Sequence, residues 1–460
     1  MSTARCARLW RPLGVLVPLL FAARAGGYPH PGGLVSGQHL AAMKSSVASG
    51  ALHQAHGQLM ALAKTALHEE PSAVKDFNVL PYYIFPTAHT AEKKRISDDA
   101  LAAYTLALAY QLDTGSERSQ YADKARQLMQ AWATTNQTVN GLFDGDLVMC
   151  YAGVPMIHAA ELLSDYGGWT SAERTKLKGW VASVFRTSAN RIKGRENNWG
   201  DWGIFASIAA AYLLDDTAGV QADIARIQQK IASSIASDGH LPAETARGEN
   251  GIWYTYFALT SKTAAAAVAR NAEGVDLFNY ASGDGRSFKL ALTWYFPYCQ
   301  NPSAWPFGEQ KELPVAGDWP MNLYEVMSGV YEIPAWASWV DSSRPIMGSR
   351  GWIFATLLRP IAAAPAPDGG APRPSTDGAS HGTPAGSDAP AALSPSFGGG
   401  CAMVSGPSPA SAAWLLLLVL GATGAGRARG RGAGARGQRT IAPETAAPSA
   451  RRASRSSSCT

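Results

Sequence analysis

The sequence has little cysteine, with only five residues in 460. We expect Cys6 to be removed with a signal peptide, which leaves Cys150 and Cys299 in the part that folds. Export permits a disulfide between these two, but two buried, unpaired thiols fit the sequence equally well. No group of His, Cys and carboxylate residues has metal-ligand spacing, and no serine lies in a nucleophile elbow. We therefore expect no metal, no cofactor and no serine nucleophile.

Long apolar runs are absent at both ends of the chain. The apolar stretch Leu13–Ala23 follows three arginines and precedes a small-x-small site at Ala25. It is too short to cross a membrane, so residues 1–25 are predicted to be a cleaved signal peptide. This interpretation implies a secreted or cell-surface protein.

The C-terminal hundred residues differ in composition from the rest. Residues 361–400 are rich in Pro, Ala, Gly and Ser, which predicts a disordered linker. Residues 401–460 contain Cys401, a short apolar run and then an arginine cluster. This order resembles the C-terminal sorting tag of myxobacterial surface proteins, which implies processing or lipid attachment at Cys401 and membrane contact only through the tag. A low-complexity tail with a chance apolar run is the alternative.

Charge is concentrated at the two ends. The formal net charge is +5, of which residues 427–460 contribute +7 and the first 25 residues +4, leaving about −6 for the central part. A mildly acidic domain argues against nucleic acid as a partner. An anionic substrate would have to be held by local groups.

Residues 26–360 are rich in Trp, Tyr, Leu and Ala, and we expect them to fold as one monomeric domain. Strand-like alternation is scarce, whereas helical apolar spacing recurs. It occurs in Asp98–Leu112, Tyr121–Ala133, Tyr151–Leu163, Ala172–Phe185, Gly203–Leu214, Ile224–Ile235, Tyr254–Ala269 and Phe288–Phe296. No repeat of fixed period is visible, but so many paired helices predict an all-α fold, an (α/α) toroid or incomplete barrel.

Polar and aromatic residues crowd two predicted helix starts. The first is Arg195–Gly203, which reads RENNWGDWG, and the second is Asp238–Leu259, which contains DGHLPAE and then RGENGIWYTYFAL. Each leads into an Ala-rich amphipathic helix. Side chains at such a junction lie where the helix dipole favours negative charge.

These two segments resemble the alginate-lyase-like family of polysaccharide lyases. Asn198, Arg247 and Tyr254 fall on the family's Asn, its Arg and the Tyr seven residues after that Arg. The resemblance extends over residues 82–358. It implies cleavage of a uronic-acid polymer by β-elimination, with Asn198, Arg247 and Tyr254 as catalytic residues. The family's His, which is linked to proton removal, is replaced here by Trp199.

Elimination requires a neutralised carboxylate, because the C5 proton beside it is very weakly acidic. Asn198 can donate amide hydrogens and Arg247 supplies a fixed cation. Tyr254 could act as both base and acid if Arg247 and the helix start lower its pKa. One residue can perform both transfers only when proton and leaving group share a face of the sugar. We therefore expect mannuronate or glucuronate to be preferred over guluronate.

Further residues near these segments are candidates for substrate binding. They are Trp199, Trp202, His240, Trp253, Tyr256, Tyr82 and Tyr83. Each aromatic could instead belong to the core. His240 is preferred over His158 as a replacement for the missing His, because it shares the loop that leads to Arg247. The alternatives for Asn198 and Arg247 are a helix cap and a surface ion pair with Glu244 or Glu249.

Two other functions fit the same segments. Glycoside hydrolases also use helical toroids and need two carboxylates, for which Glu196, Asp201, Glu244 and Glu249 are candidates. A non-catalytic surface glycan-binding protein would bind the polymer without turnover. Only elimination yields an unsaturated sugar that absorbs in the near ultraviolet.

Overall fold

The computed structural model describes residues 27–360. The predicted signal peptide, linker and sorting tag lie outside this range. Fifteen α-helices occur in the described part: α1 Gly37–Ser46, α2 Gly50–Ala66, α3 Pro86–Leu112, α4 Arg118–Thr135, α5 Gly145–Leu162, α6 Ser171–Trp180, α7 Arg186–Ile192, α8 Asn198–Leu213, α9 Thr217–Ser234, α10 Pro242–Thr245, α11 Gly251–Glu273, α12 Phe288–Gln300, α13 Met321–Tyr331, α14 Pro334–Asp341 and α15 Ala355–Leu358. Within the same residues, no helix is both long and apolar enough to cross a membrane.

Shorter elements complete the described part. A π-helical segment, Val181–Phe185, joins α6 to α7, and 3₁₀ turns occupy Gly248–Asn250 and Pro302–Ala304. Two short strands, β1 Asp76–Phe77 and β2 Thr138–Val139, pair in parallel.

The helices form two layers. Helices α3, α5, α8 and α11 pack successively against one another. Helices α5, α8 and α11, and α3 from Asp99 to Leu112, are buried on nearly all sides. In α11, 20 of 23 residues are buried, which is the pattern of an inner helix. By contrast, α9 buries six of its 18 residues along one face and packs outside α8. The predicted open (α/α) toroid is confirmed, without a closed barrel.

Every predicted helix is present, although the boundaries differ. The capping box at the start of α6 is formed, since Thr170 and Glu173 exchange their hydrogen bonds. Helices α1, α2, α7, α10 and α13–α15 were not predicted. The sequence of α2 does contain helical apolar spacing, because Ala55, Leu59 and Ala63 repeat every four residues, and all three are buried.

Residues 27–36, here called the N-terminal strap, cross the ends of three inner helices. The Tyr28 hydroxyl donates to Glu273 at 2.6 Å, at the end of α11. His30 contacts Glu161 near the end of α5 at 2.9 Å, and Asp215 just after α8 at 3.1 Å. The hydrogen bond to Glu161 raises the pKa of His30, although partial burial opposes it.

Cys150 and Cys299 are buried, separate thiols. Of the two alternatives that the sequence left open, the structure therefore contains unpaired cysteines. Burial raises the pKa of both thiols well above the ordinary value, which keeps them protonated and inert.

Candidate active site

The loop that carries Arg247 is held at both ends. The backbone N–H of Arg247 donates to the carbonyl of Glu244 at 3.0 Å. Gly248 follows with φ +57, a left-handed conformation that favours glycine. The Gln310 side chain accepts from the N–H of Ile252 at 2.8 Å and donates to the carbonyl of Gly248 at 2.9 Å. Sequence reasoning missed Gln310, which lies about sixty residues away from the turn that it fixes.

Arg247, Tyr254 and Tyr83 contact one another and are called the Arg–Tyr cluster below. The Cζ atom of Arg247 lies 4.3 Å from the centroid of the Tyr254 ring, in a cation–π contact. The hydroxyls of Tyr83 and Tyr254 are 2.6 Å apart. Arg247 Nη2 donates to the Tyr83 hydroxyl at 3.3 Å. A guanidinium is thus in contact with two phenols that share a hydrogen bond.

The loop before α3 positions Tyr83. The N–H of Tyr82 donates to the Asp144 carboxylate at 2.9 Å, and the N–H of Asp144 donates to the carbonyl of Val79 at 3.1 Å. The Tyr82 ring packs edge-on against Tyr83 and against His89. Tyr82 therefore packs against Tyr83, and Tyr83 is the tyrosine of this loop that contacts Arg247 and Tyr254.

The expectation that the pKa of Tyr254 falls is wrong for this structure. Tyr254 is only 9% exposed, and burial raises its pKa well above 10, with Tyr83 adding to the effect and Arg247 opposing it. The reason is that the low polarity around a buried phenol penalises the phenolate more than one cation compensates. Tyr254 is therefore a protonated phenol in this state.

Asn198 is the first residue of α8 and is 1% exposed. Its backbone N–H donates to Glu244 Oε1 at 2.6 Å, and its Nδ2 donates to Oε2 of the same carboxylate at 2.7 Å. The ion pair with Glu244, which was the alternative to a catalytic role for Arg247, is not formed. The helix cap is the preceding residue, Asn197, whose side chain accepts from the N–H of Trp199. The start of α8 therefore contacts the loop before α11, because Asn198 bonds to Glu244, which lies three residues before Arg247.

Two of the predicted stacking platforms belong to the core. Trp202 and Tyr256 are both 0% exposed, because α8 and α11 are inner helices that bury almost every side chain. Trp253 is 6% exposed and packs against Tyr254 and Phe257. Trp199 is partly exposed beneath the guanidinium of Arg195, which lies 4.1 Å from a ring centroid.

Neither candidate histidine contacts the Arg–Tyr cluster within residues 27–360. His240 pairs with Asp238 at 2.6 Å, and its ring lies beside Trp294 and Phe307. His158 is buried between Tyr104 and Phe205. Burial lowers the pKa of His158 to about 3, so it remains neutral.

The four candidate carboxylates all have partners. Asp201 accepts from two buried lysines, Lys262 at 2.8 Å and Lys230 at 3.2 Å. Glu196 pairs with Arg226, and Glu249 pairs with a lysine at position 311. In the described part of the chain, no group of three or more His, Cys, Asp or Glu residues could hold a metal ion.

A cavity of about 530 Å³ lies elsewhere, between α2, α13 and α14. Leu52, Glu325, Ile333 and Arg344 are among its lining residues, and none of the predicted site residues lines it. The volume of a cavity does not by itself identify a reactive site. The candidate active site is therefore defined by the Arg–Tyr cluster and the adjoining Asn198.

Residues 43–305 match the alginate lyase family over more than half of the chain. The chain belongs to the alginate lyase family. The family resemblance inferred from Asn198, Arg247 and Tyr254 is thereby confirmed. This alginate lyase family member is a polysaccharide lyase.

Two solved structures share the fold of this chain, and one curated relative shares a short stretch of its sequence. An alginate lyase from Bacteroides ovatus is 19% identical, with a TM-score of 0.60, and the superposition covers 72% of this chain and 100% of that one. Alginate lyase A1-III from Sphingomonas species A1 is 18% identical, with a TM-score of 0.56 and coverages of 70% and 94%. At such identities the likeness concerns the fold. A polysaccharide lyase from Stenotrophomonas maltophilia is 33% identical over 101 residues, which span 21% of this lyase and 30% of that relative.

Proposed function

We propose that this lyase cleaves a polymer containing mannuronate or glucuronate, by β-elimination at the Arg–Tyr cluster. The observation that supports this most directly is the contact of Arg247 with both Tyr83 and Tyr254. A cation beside two phenols provides what elimination from a uronate requires, namely charge neutralisation and proton transfer. The Sphingomonas lyase of the same fold has been solved with a tetrasaccharide, which supports a saccharide substrate here.

In the proposed reaction, Arg247 binds the uronate carboxylate and stabilises the negative charge that develops when the C5 proton leaves. The two phenols act as one unit. The pair first releases one proton to solvent, which the raised pKa of Tyr254 opposes and the Arg247 cation favours. The remaining proton is then shared over the 2.6 Å hydrogen bond between Tyr83 and Tyr254. The resulting phenolate removes the C5 proton. The C5–H electrons form the C4–C5 double bond, the C4–O4 bond breaks, and the pair returns a proton to O4.

This arrangement explains how the chain can act without the family's His, since Trp199 stands at that position. Base and acid lie on one side of the sugar. Such an arrangement suits substrates whose C5 proton and O4 leaving group share a face. Mannuronate and glucuronate meet this condition, and guluronate does not.

The test is a substrate panel with two detection methods. The full chain is incubated with polymannuronate, polyguluronate, glucuronan, hyaluronan and chondroitin. Near-ultraviolet absorbance reports unsaturated products, and a reducing-end assay reports all chain cleavage. We expect both signals with polymannuronate or glucuronan.

Each other outcome has a distinct meaning. Reducing ends without absorbance indicate hydrolysis by paired carboxylates, and binding without either signal indicates a glycan-binding protein. Turnover of polyguluronate at least as fast as of polymannuronate and glucuronan contradicts the same-face mechanism.

A further inference from the structure

Glu244 is a buried carboxylate that the proposed reaction does not use. It is 1% exposed and lies in α10, between the two junctions that form the site. Its two carboxylate oxygens accept separately from the backbone N–H and the side-chain Nδ2 of Asn198, at 2.6 and 2.7 Å. Its backbone carbonyl accepts from the N–H of Arg247 at 3.0 Å. Glu244 therefore forms hydrogen bonds with both Asn198 and Arg247.

The contact with Glu244 determines which way the Asn198 amide points. An ionised carboxylate accepts hydrogen bonds but cannot donate them, so Nδ2 rather than Oδ1 must face it. A second Nδ2 hydrogen is then available to another acceptor. Asn198 Oδ1 is buried and has no hydrogen-bond partner in the structure. A buried, unpaired acceptor is costly, which indicates that a further donor is missing from this state.

We propose that Glu244 is a positioning residue for the lyase reaction, which fixes the Asn198 amide so that its free N–H and Oδ1 meet the sugar. The inference rests on the proposed function, because it assigns Asn198 to substrate contact. A uronate offers both complementary groups, a carboxylate oxygen for the N–H and hydroxyl groups for Oδ1. Reversal of the amide would turn Oδ1 towards the carboxylate of Glu244 and lose both interactions.

The surroundings of Glu244 make this orientation dependent on pH. Burial raises the pKa of Glu244 to about 7, although its hydrogen bonds with Asn198 oppose the shift. The other charged groups that act on it are Asp201 on α8, which raises the pKa, and Arg247 on its own loop, which lowers it. Lys262 on α11 also interacts with Glu244, and Lys230 on α9 pairs with Asp201. Protonation of Oε2, while Oε1 keeps its bond to the backbone N–H, replaces an acceptor with a donor opposite Asn198 Nδ2 and releases the amide.

The first test observes Asn198 itself. The full chain is labelled with ¹⁵N-asparagine, and the side-chain signals of Asn198 are assigned by their loss in Asn198→Asp. We expect these signals to titrate with a midpoint near pH 7 in the unchanged protein, and to lose this titration in Glu244→Gln. Glu196→Gln, which removes a carboxylate just before the same helix, should leave the titration unchanged. Asn198 signals that do not respond to pH in the unchanged protein overturn the inference.

The second test is a double-mutant cycle on activity. We expect Glu244→Gln and Asn198→Ala each to lower kcat/KM by roughly 10- to 100-fold, because misplaced polar groups have effects of this size. The double variant should lie within about threefold of the worse single variant, since Glu244 acts through Asn198. Effects that multiply overturn the inference.

The two proposals fail separately. An unchanged protein that cleaves none of the uronate polymers contradicts the proposed function. An active protein whose two substitutions act independently contradicts only the role of Glu244. If Glu244→Gln does not fold, the titration of Asn198 in the unchanged protein still decides the matter. The exchanged pair Asn198→Asp with Glu244→Gln restores a hydrogen bond but removes the amide from position 198, so it should fold and lose at least as much activity as Asn198→Ala.

Discussion

The hydroxyl of Tyr83 lies 2.6 Å from the hydroxyl of Tyr254, although 171 positions separate them in the chain. Arg247 contacts the ring of Tyr254 and donates a hydrogen bond to the hydroxyl of Tyr83. Tyr254 is buried and Tyr83 is half-buried, so Tyr83 is the more accessible member of the pair. The following predictions concern the members of this cluster and one contact far from it.

Tyr254→Phe removes the hydroxyl that is proposed to transfer the proton. We expect kcat to fall by about 10²- to 10⁴-fold, with substrate binding largely retained. Ultraviolet absorbance measures turnover, and calorimetry measures the binding of a uronate oligosaccharide. Tyr166→Phe is the control, since it removes a phenol that is hydrogen-bonded to Asp123 at 2.8 Å on another surface. A Tyr254→Phe variant that retains near-normal kcat would exclude the proposed role.

Tyr83→Phe removes the hydroxyl that shares a proton with Tyr254. We expect the plateau value of kcat to fall by roughly tenfold or more because the shared proton is lost, and KM to change little. The rise of kcat with pH should move to lower pH, because Tyr83 raises the pKa of Tyr254. The measurement is kcat from pH 6 to 10. An unchanged pH profile would indicate that Tyr83 only packs against Tyr254.

Arg247→Lys retains a positive charge but loses the planar group over Tyr254. A lysine cannot hold a bidentate carboxylate contact and also reach the Tyr83 hydroxyl, so we expect kcat/KM to fall by about 10²-fold. Steady-state kinetics with the best substrate measures the loss. Arg226→Lys is the matched control, because Arg226 pairs with the exposed Glu196. Equal activity of the two variants would contradict carboxylate binding by Arg247.

His30 should make the stability of the domain dependent on pH. Its pKa is raised in the folded state by the hydrogen bond with Glu161, so protonated His30 favours folding. This stabilisation is complete below the unfolded pKa of about 6.5 and is lost as pH rises through the higher folded pKa. We expect His30→Asn to lower the Tm at pH 6 by roughly 2–4 °C, and by less at pH 9.

Thermal unfolding of the unchanged protein, His30→Asn and the exposed-site control His68→Asn at both pH values measures this difference. A Tm loss in His30→Asn that is the same at pH 6 and pH 9 would show that His30 contributes packing but no charge.

The sequence was sufficient to predict the main helices of the inner layer and the family, because both depend on local patterns. Apolar spacing gave most of the inner layer, and the seven-residue interval from Arg247 to Tyr254 identified the helix start that carries the candidate site. These features involve residues that are close together in the chain.

Exposure within the inner helices could not be predicted in the same way. Trp202 and Tyr256 stand in the same aromatic-rich segments as Trp253 and Tyr254, but the helices that carry them are buried on nearly every side. Helical periodicity distinguishes an inner face from an outer face only when one face meets water. The raised pKa of Tyr254 escaped prediction for the same reason, since it depends on burial.

Contacts between distant loops were also beyond the sequence. Gln310 fixes the turn after Arg247, and Glu244 binds Asn198 from 46 positions away. No local pattern specifies which polar residue of one loop meets the backbone of another. The sequence therefore identified the candidate catalytic residues but not the residues that hold them in place.

The N-terminal strap has a practical consequence for anyone who prepares this protein. Tyr28 and His30 are joined to acidic residues at the ends of α5, α8 and α11, so the strap fastens three successive inner helices from outside. A recombinant version trimmed to begin at Gly37 would keep every catalytic candidate and yet lose this fastening. Affinity tags and protease sites are better inserted upstream of Gly27, where they leave the fastening residues intact.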